Sequence, residues 1–392
     1  MVERAQQVHL GVVVRDALTG DTLWAQDEDR AQTPASTAKL LTAAAVAERT
    51  DLTTTMKTTV VQGEGDELVL VASGDTMLAP GKGDPTKVEG RAGLTDLAQE
   101  VARSLETKGE SGRLSLRLDA THAAGPRFPK TWDVADQADG YTQGVSMIGL
   151  AGDRPLPGQP SPKVPERKVL TTFAKELKKA GVTVTVDGAA ATWKTAAPKD
   201  ADELGSVESA PLGDVLALAL DESDNALTEN VARQAAVADG AGSTFPEVAA
   251  WVKESLEGAG VDLTGVRLRD SSGLSSGQLI PARVISDVMQ LGITGSAQPM
   301  TGILADLPVA GLNGTMHDRF LANDSKGAAG IARAKTGTLT GISSLAGTTT
   351  TKDGRLVTYV FLADRVPTAS GTLGARTVLD RMVATITACG CR

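Results

Sequence analysis

Cysteine, histidine and aromatic residues are all scarce in this chain of 392 residues, and each scarcity removes a class of function. The two cysteines, Cys389 and Cys391, form a Cys-Gly-Cys tail, so a disulfide framework and a four-cysteine zinc site are both excluded. His9, His122 and His317 stand apart, with no His-Glu-x-x-His helix and no cluster of metal ligands. We therefore expect no metal, no cofactor and a chemistry that does not run on histidine. Aromatics make up only 3%, too few for the stacking platforms of single-strand binders. Positive charge is in deficit, with 39 Lys and Arg against 48 Asp and Glu. A net charge of −9 argues against nucleic acid and acidic membrane surfaces as partners. Long apolar runs are missing too, since stretches such as Leu40 to Ala47 fall far short of the ~20 residues that span a bilayer. No transmembrane segment is expected. The polar start, Met1 to Gln7, lacks the apolar stretch of a signal peptide, which leaves a cytoplasmic protein or a trimmed, exported one.

What remains is an ordinary globular composition, 41% hydrophobic and 22% charged, long enough for two or three domains. Residues 8–14 read as a strand, with Leu23-Trp24-Ala25 as its partner across the Thr19-Gly20-Asp21 turn. The Ala- and Leu-rich stretch from Ser36 to Ala47 reads as a helix. From about 55 to 200 short strands (68–72, 114–118, 182–186) alternate with Gly/Pro loops. Helices return at 211–221, 225–238 and 245–258, followed by a meander of strands at 332–339, 343–350 and 356–363 and a helix at 373–388. Strands at both ends around a helical middle predict one sheet built from both ends of the sequence, with the central region inserted.

Three short patterns follow one another along this frame. Ser36-x-x-Lys39 opens a helix, and a spacing of three puts both side chains on one face. A Ser hydroxyl attacks only with a base in reach, and a lysine is such a base once its pKa is depressed. Taken alone the pattern carries nothing, because chance supplies it about once in a chain this long. Ser223-Asp224-Asn225 lies between two helices, where a turn and a helix cap would explain it equally well. Lys335-Thr336-Gly337-Thr338 lies on a strand, its glycine permitting close backbone approach and its lysine supplying charge. The argument lies in the conjunction, since the three patterns in this order form the signature of penicillin-binding proteins and serine β-lactamases.

The chain resembles the low-molecular-mass class C penicillin-binding proteins, the D-alanyl-D-alanine carboxypeptidase/endopeptidase family. Further phrases carry the likeness: Pro34 to Thr42, Ser73-Gly74-Asp75, Asp270 to Ser275, Leu307 to Gly311, and Lys335 to Gly341. Ser36 and Ser223 stand 187 positions apart, and a long insertion there is similar to this group's and unlike that of β-lactamases. The likeness is loose between 80 and 200, and Thr76-Met77 replaces the proline the family often has after Asp75. The resemblance implies an α/β (α+β) fold, a penicillin-binding transpeptidase-like domain with an antiparallel sheet flanked by helices. Residues 1–55 and 203–392 would form it, with 56–80 and 163–202 as an inserted domain and 81–162 nested within that.

It also implies an acyl-serine mechanism on peptidoglycan peptides ending in D-Ala-D-Ala, with β-lactam antibiotics acylating the same serine. Ser36 would be the nucleophile and Lys39 its base, held neutral by burial and by Lys335 nearby, although the wider superfamily leaves open which group takes the first proton. The Ser36 and Thr338 amides would form an oxyanion hole, worth about 3 kcal/mol per donor. Ser223 would relay a proton to the leaving amine, and Asn225 would bond the substrate amide and the Lys39 head. Lys335, Thr336 and Thr338 would grip the substrate carboxylate beside Gly337. Because peptidoglycan lies outside the cytoplasm, the enzyme is expected in the periplasm or cell-wall space. Two alternatives stand beside this reading: a β-lactamase, which needs a further carboxylate such as Glu222 or Glu229 for deacylation, and a non-catalytic penicillin sensor. Finally Trp132, Asp136 and Tyr141 cluster in the insertion, either as a small core or as a cover that meets the side chain of the stem peptide.

Overall fold

The computed structural model describes residues 8–110, 112–295, 300–367 and 371–390, which form two compact units. The first unit comprises residues 1–52, 129–132 and 216–392, and the second comprises 53–128 and 133–215. The sequence expectation placed these joins at 55 and 203. It also left the short segment Pro129–Trp132 in the insertion, whereas its contacts belong to the first unit.

The first unit holds a five-stranded antiparallel sheet built from both ends of the sequence, as its patterning predicts. Its order is Arg333–Leu339, Ile342–Thr350, Leu356–Asp364, His9–Asp16, Thr22–Gln26. The central pairing sets Val12 opposite Phe361 and Val14 opposite Tyr359. β-Branched and aromatic residues recur along these strands, and one face packs into a core with Met316, Phe320, Leu379 and Val383, the last two from the helix Gly371–Ala388. The Tyr359 and Phe361 rings stack at 5.4 Å.

The helix Lys39–Arg49 is buried from Lys39 through Ala47, too apolar all round for a surface helix. It packs against the helices Asn225–Ala238, Phe245–Gly258 and Ala282–Thr294. The turn before it differs from the sequence expectation: Ala35–Ala38 forms a 3-10 turn and the α-helix begins only at Lys39. Ala35 stands at φ +48°, in the left-handed region, so the α-helix cannot extend back through it.

The second unit is built on a mixed five-stranded sheet, ordered Val184–Thr185, Leu114–Asp119, Glu67–Val71, Lys57–Gln62, Glu203–Glu208. Two helices, Leu94–Lys108 and Pro165–Lys179, pack on each other beside it. The sequence reading saw only strands and loops in this stretch. In this unit Asp75 is 2% exposed, and burial pushes its carboxyl up to about 6 against the bond it accepts from the Met77 amide.

Candidate active site

The 3-10 turn that replaces the first helical turn has a direct effect on Ser36. Side chains at i and i+3 eclipse in such a turn. Lys39 Nζ consequently lies 3.0 Å from Ser36 Oγ. The Lys39 head is wholly buried, and it also donates to Asn225 Oδ1 at 2.6 Å and to the Ser272 carbonyl at 2.8 Å. Burial pushes the Lys39 amine down to about 8, against the opposing pull of Asp270, Asp224 and Glu229. A group poised there is neutral often enough near pH 7 to take a proton.

Asn225 is the first residue of its helix, and Asp224 caps that helix by accepting from the Leu227 amide at 2.9 Å. Ser223 occupies the preceding turn at φ +60° and is half-buried. Among the described residues it makes no hydrogen bond to Ser36, Lys39 or Lys335. The second pattern thus divides, with Asn225 joined to Lys39 and Ser223 set beside it.

The third pattern lies against the first because Gly337 has no side chain. A Cβ there would fall 3.0 Å from the Ser36 nitrogen, 2.9 Å from the Pro34 carbonyl and 2.1 Å from Ser344 Oγ. Ser344 and Thr37 both donate to that Pro34 carbonyl, at 2.6 and 2.7 Å, which ties the segment before Ser36 to the sheet. Lys335 is fully buried and donates to the Thr336 carbonyl at 2.9 Å. Its amine lies well below the usual lysine range, first through burial and then through the Lys39 charge. Thr336 Oγ1 donates to Thr315 Oγ1 at 2.9 Å, while Thr338 is exposed.

Around these patterns lies a polar support that the sequence reading did not assign. Asp270, fully buried, accepts from the Gly273 amide at 2.8 Å, the Ser275 amide at 2.7 Å and the Gln278 side chain. Glu229 accepts from the Ser271 and Ser272 amides at 2.8 and 2.7 Å. The phrase Asp270 to Ser275 is therefore a loop whose amides face two carboxyls and whose Ser272 carbonyl faces Lys39. The sign of it in the sequence was the phrase Asp270 to Ser275, which carried the family likeness without revealing its contacts.

Trp132 joins this support. It is 6% exposed, donates from Nε1 to Asp270 Oδ2 at 2.7 Å, and meets the Phe245 ring edge-on at 5.7 Å. The expectation that it fills a core of the insertion is corrected, because its segment belongs to the first unit and its ring is buried there with the N–H on Asp270. Asp136 and Tyr141 belong to the second unit, where Tyr141 is exposed. Burial and the adjacent Asp133 and Asp139 charges raise the Asp136 carboxyl.

A model of the D-Ala-D-Ala carboxypeptidase 3 (S13) family matches residues 2–157 and 154–388. The chain is 35% identical over 384 residues to a carboxypeptidase of Mycobacterium tuberculosis (strain ATCC 25618 / H37Rv), covering 96% of this chain and 80% of that one. It is 30% identical over 416 residues to the D-alanyl-D-alanine carboxypeptidase of Actinomadura sp. (strain R39), covering 88% and 76%. Among solved structures, penicillin binding protein 4 of Haemophilus influenzae is similar in fold, with a TM-score of 0.76 at 16% identity and 96% of each chain covered.

Proposed function

The chain belongs to the D-Ala-D-Ala carboxypeptidase 3 (S13) family, and on that premise we infer the reaction its site performs. The protein is a serine D,D-peptidase that acts on peptidoglycan. The observation that carries the mechanistic reading is the 3.0 Å bond between Lys39 Nζ and Ser36 Oγ in a site where burial holds the amine down to about 8. Ser36 attacks the carbonyl between two terminal D-alanines, and its proton passes to Lys39. The carbonyl oxygen takes up negative charge against the Ser36 and Thr338 amides. The C–N bond then breaks as the proton held by Lys39 is relayed through the Ser223 hydroxyl to the departing amine, and free D-alanine leaves with Lys39 neutral again. Water adds to the acyl-serine and restores the hydroxyl. Lys335, with Thr336 and Thr338, holds the substrate carboxylate, which in turn stabilises the charged form of the buried Lys335 amine.

A β-lactam presents the same carbonyl and carboxylate, so it acylates Ser36. The peptidase reading is favoured over a β-lactamase because Glu229 is committed to two backbone amides and Glu222 is exposed. We further propose an exported enzyme, since its substrate lies outside the cytoplasm; no helix among the described residues is long and apolar enough to cross a membrane. Asp136 and Tyr141 are proposed, from their chemistry alone, as contacts for the ammonium and aliphatic stem of the peptide's side chain. The division of the insertion into 56–80 with 163–202 and a nested 81–162 belongs to the same proposal. Intact mass after benzylpenicillin, with release of D-alanine from a pentapeptide, tests the whole. A stoichiometric adduct on Ser36→Ala would overturn it.

A further inference from the structure

Lys39 Nζ faces three acceptors, Ser36 Oγ, Asn225 Oδ1 and the Ser272 carbonyl. As an ammonium it donates to all three. As a neutral amine it keeps two N–H groups and one lone pair. The Asn225 and Ser272 oxygens can only accept, so they take the two N–H groups. The lone pair is then left to Ser36, the one neighbour with a proton to give. The Ser272 carbonyl is therefore half of what aims the base.

The peptide that carries this carbonyl is held on its far side by Asp270, which accepts from the Gly273 amide at 2.8 Å, and the two peptides before it are held by Glu229. The Ser271 and Ser272 amides converge on a single oxygen of Glu229, at 2.8 and 2.7 Å, and Glu229 is 2% exposed. Glu229 lies one turn beyond Asn225 on the same helix, so the two share a face. One helix thus places both lone-pair-directing groups, Asn225 by touching Lys39 and Glu229 by gripping the loop.

We propose that Glu229 is a positioning residue for this reaction: its carboxyl, bound to the Ser271 and Ser272 amides, holds the turn that presents the Ser272 carbonyl and so keeps the Lys39 lone pair on Ser36. The inference rests on Lys39 as the acylation base. The charged groups acting on this region are Asp270 and Arg233 around Glu229, with Asp270, Asp224 and Glu229 itself acting on Lys39 and the Lys39 charge acting on Lys335. Burial, reinforced by Asp270, pushes the Glu229 carboxyl up to about 8 against the bonds it accepts from Ser271 and Ser272.

The test is the rate of benzylpenicillin acylation, followed by intact mass on the full chain from pH 6 to pH 9. Glu229→Gln keeps the acceptor oxygen and the shape of the neutral acid, and should acylate within about threefold of the wild type. Glu229→Asp keeps the acid but draws it back from both amides; it should slow acylation on the order of 100-fold while still reaching one adduct per chain. Its pH profile should also be displaced from that of the wild type. Wild-type speed in Glu229→Asp overturns the proposal. So does a Gln variant as slow as the Asp variant, which would assign the effect to charge. A Glu229→Asp sample in which only a fraction labels, at the normal rate, would reduce the residue to a fold support and overturn it equally. Lys39→Ala separates the two levels: wild-type acylation there sinks the base assignment itself, whereas an inert Lys39→Ala beside a fast Glu229→Asp sinks this inference alone.

Discussion

Lys39 donates to Asn225 across 2.6 Å although 186 positions separate them in sequence, and this bond joins the first catalytic pattern to the second. It spans the whole insertion, so the two helices that meet here must dock before any base is aimed at Ser36.

Ser36→Ala should abolish the penicillin adduct and peptide cleavage together, because one hydroxyl serves both. Lys39→Ala should keep the fold, since alanine is the best helix former, yet lose several orders of magnitude in acylation. Circular dichroism and intact mass check the pair. Acylation of Lys39→Ala at the wild-type rate would remove the lysine from the mechanism.

The pH dependence follows from the lowered Lys39 amine. Its neutral form grows as pH rises towards about 8, so the acylation rate should climb through that region and level off above it. The Asp224 charge raises the Lys39 pKa, so Asp224→Asn should move the rising limb to lower pH. Asparagine caps helices as well as aspartate does, so the Leu227 bond survives. At pH 6.5 this variant should acylate about threefold faster than the wild type. A limb displaced upward would contradict the assignment.

Gly337→Ala tests the close approach of strand and nucleophile. The added Cβ meets two backbone atoms, Pro34 O and Ser36 N, which cannot rotate away. Stability should fall by about 1–3 kcal/mol and acylation on the order of 100-fold. A variant with normal kinetics would show that the strand can retreat at no cost to chemistry.

Trp132→Ala should destabilise by about 3–5 kcal/mol, because a buried ring and the Asp270 bond go together. Penicillin acylation and peptide cleavage should decline in parallel. Loss confined to peptides bearing the long side chain would restore the ring to substrate contact.

Asp75→Asn addresses the second unit. A carboxyl raised to about 6 when folded holds its proton more tightly there than in the unfolded chain. The wild type therefore loses stability as pH rises from about 4 through 6, and asparagine escapes that loss. Denaturant titrations should match near pH 4 and favour the variant by about 1–3 kcal/mol at pH 8. Equal midpoints at both pH values would mean that Asp75 finds compensation when ionised.

The three patterns were legible because each depends on residue types at short spacing, and the shared sheet was legible because β-branched runs such as Val12-Val13-Val14 and Thr348-Thr349-Thr350 sit near both ends of the sequence. The support was not. Glu229 looks like one more polar residue on a helix, and only folding brings the Ser271 and Ser272 amides to it. The partners of Trp132, Asp270 and Phe245, were hidden because they lie more than 100 positions away in sequence. In the second unit Leu94, Leu97, Ala98, Val101 and Leu105 carry a helical period, but the glycines at 90 and 93 drew the reading towards loops. The start of the nucleophile helix was misplaced because Ser, Thr and Ala suit a 3-10 turn as readily as the first turn of an α-helix.

The pairing of Val12 with Phe361 also sets an order of events during synthesis. A ribosome releases the serine at position 36 some 300 residues before the strand bearing Lys335 and Gly337, and the strand at 9–16, paired early only with Thr22–Gln26, waits for its other neighbour until Leu356–Asp364 emerges. Such long-range pairing makes folding slow and late. The strand carrying Lys335 and Gly337 is thus tied to the N-terminal strand only once Leu356–Asp364 has slotted between its neighbours, so the third pattern is the last part of the site to be put in place.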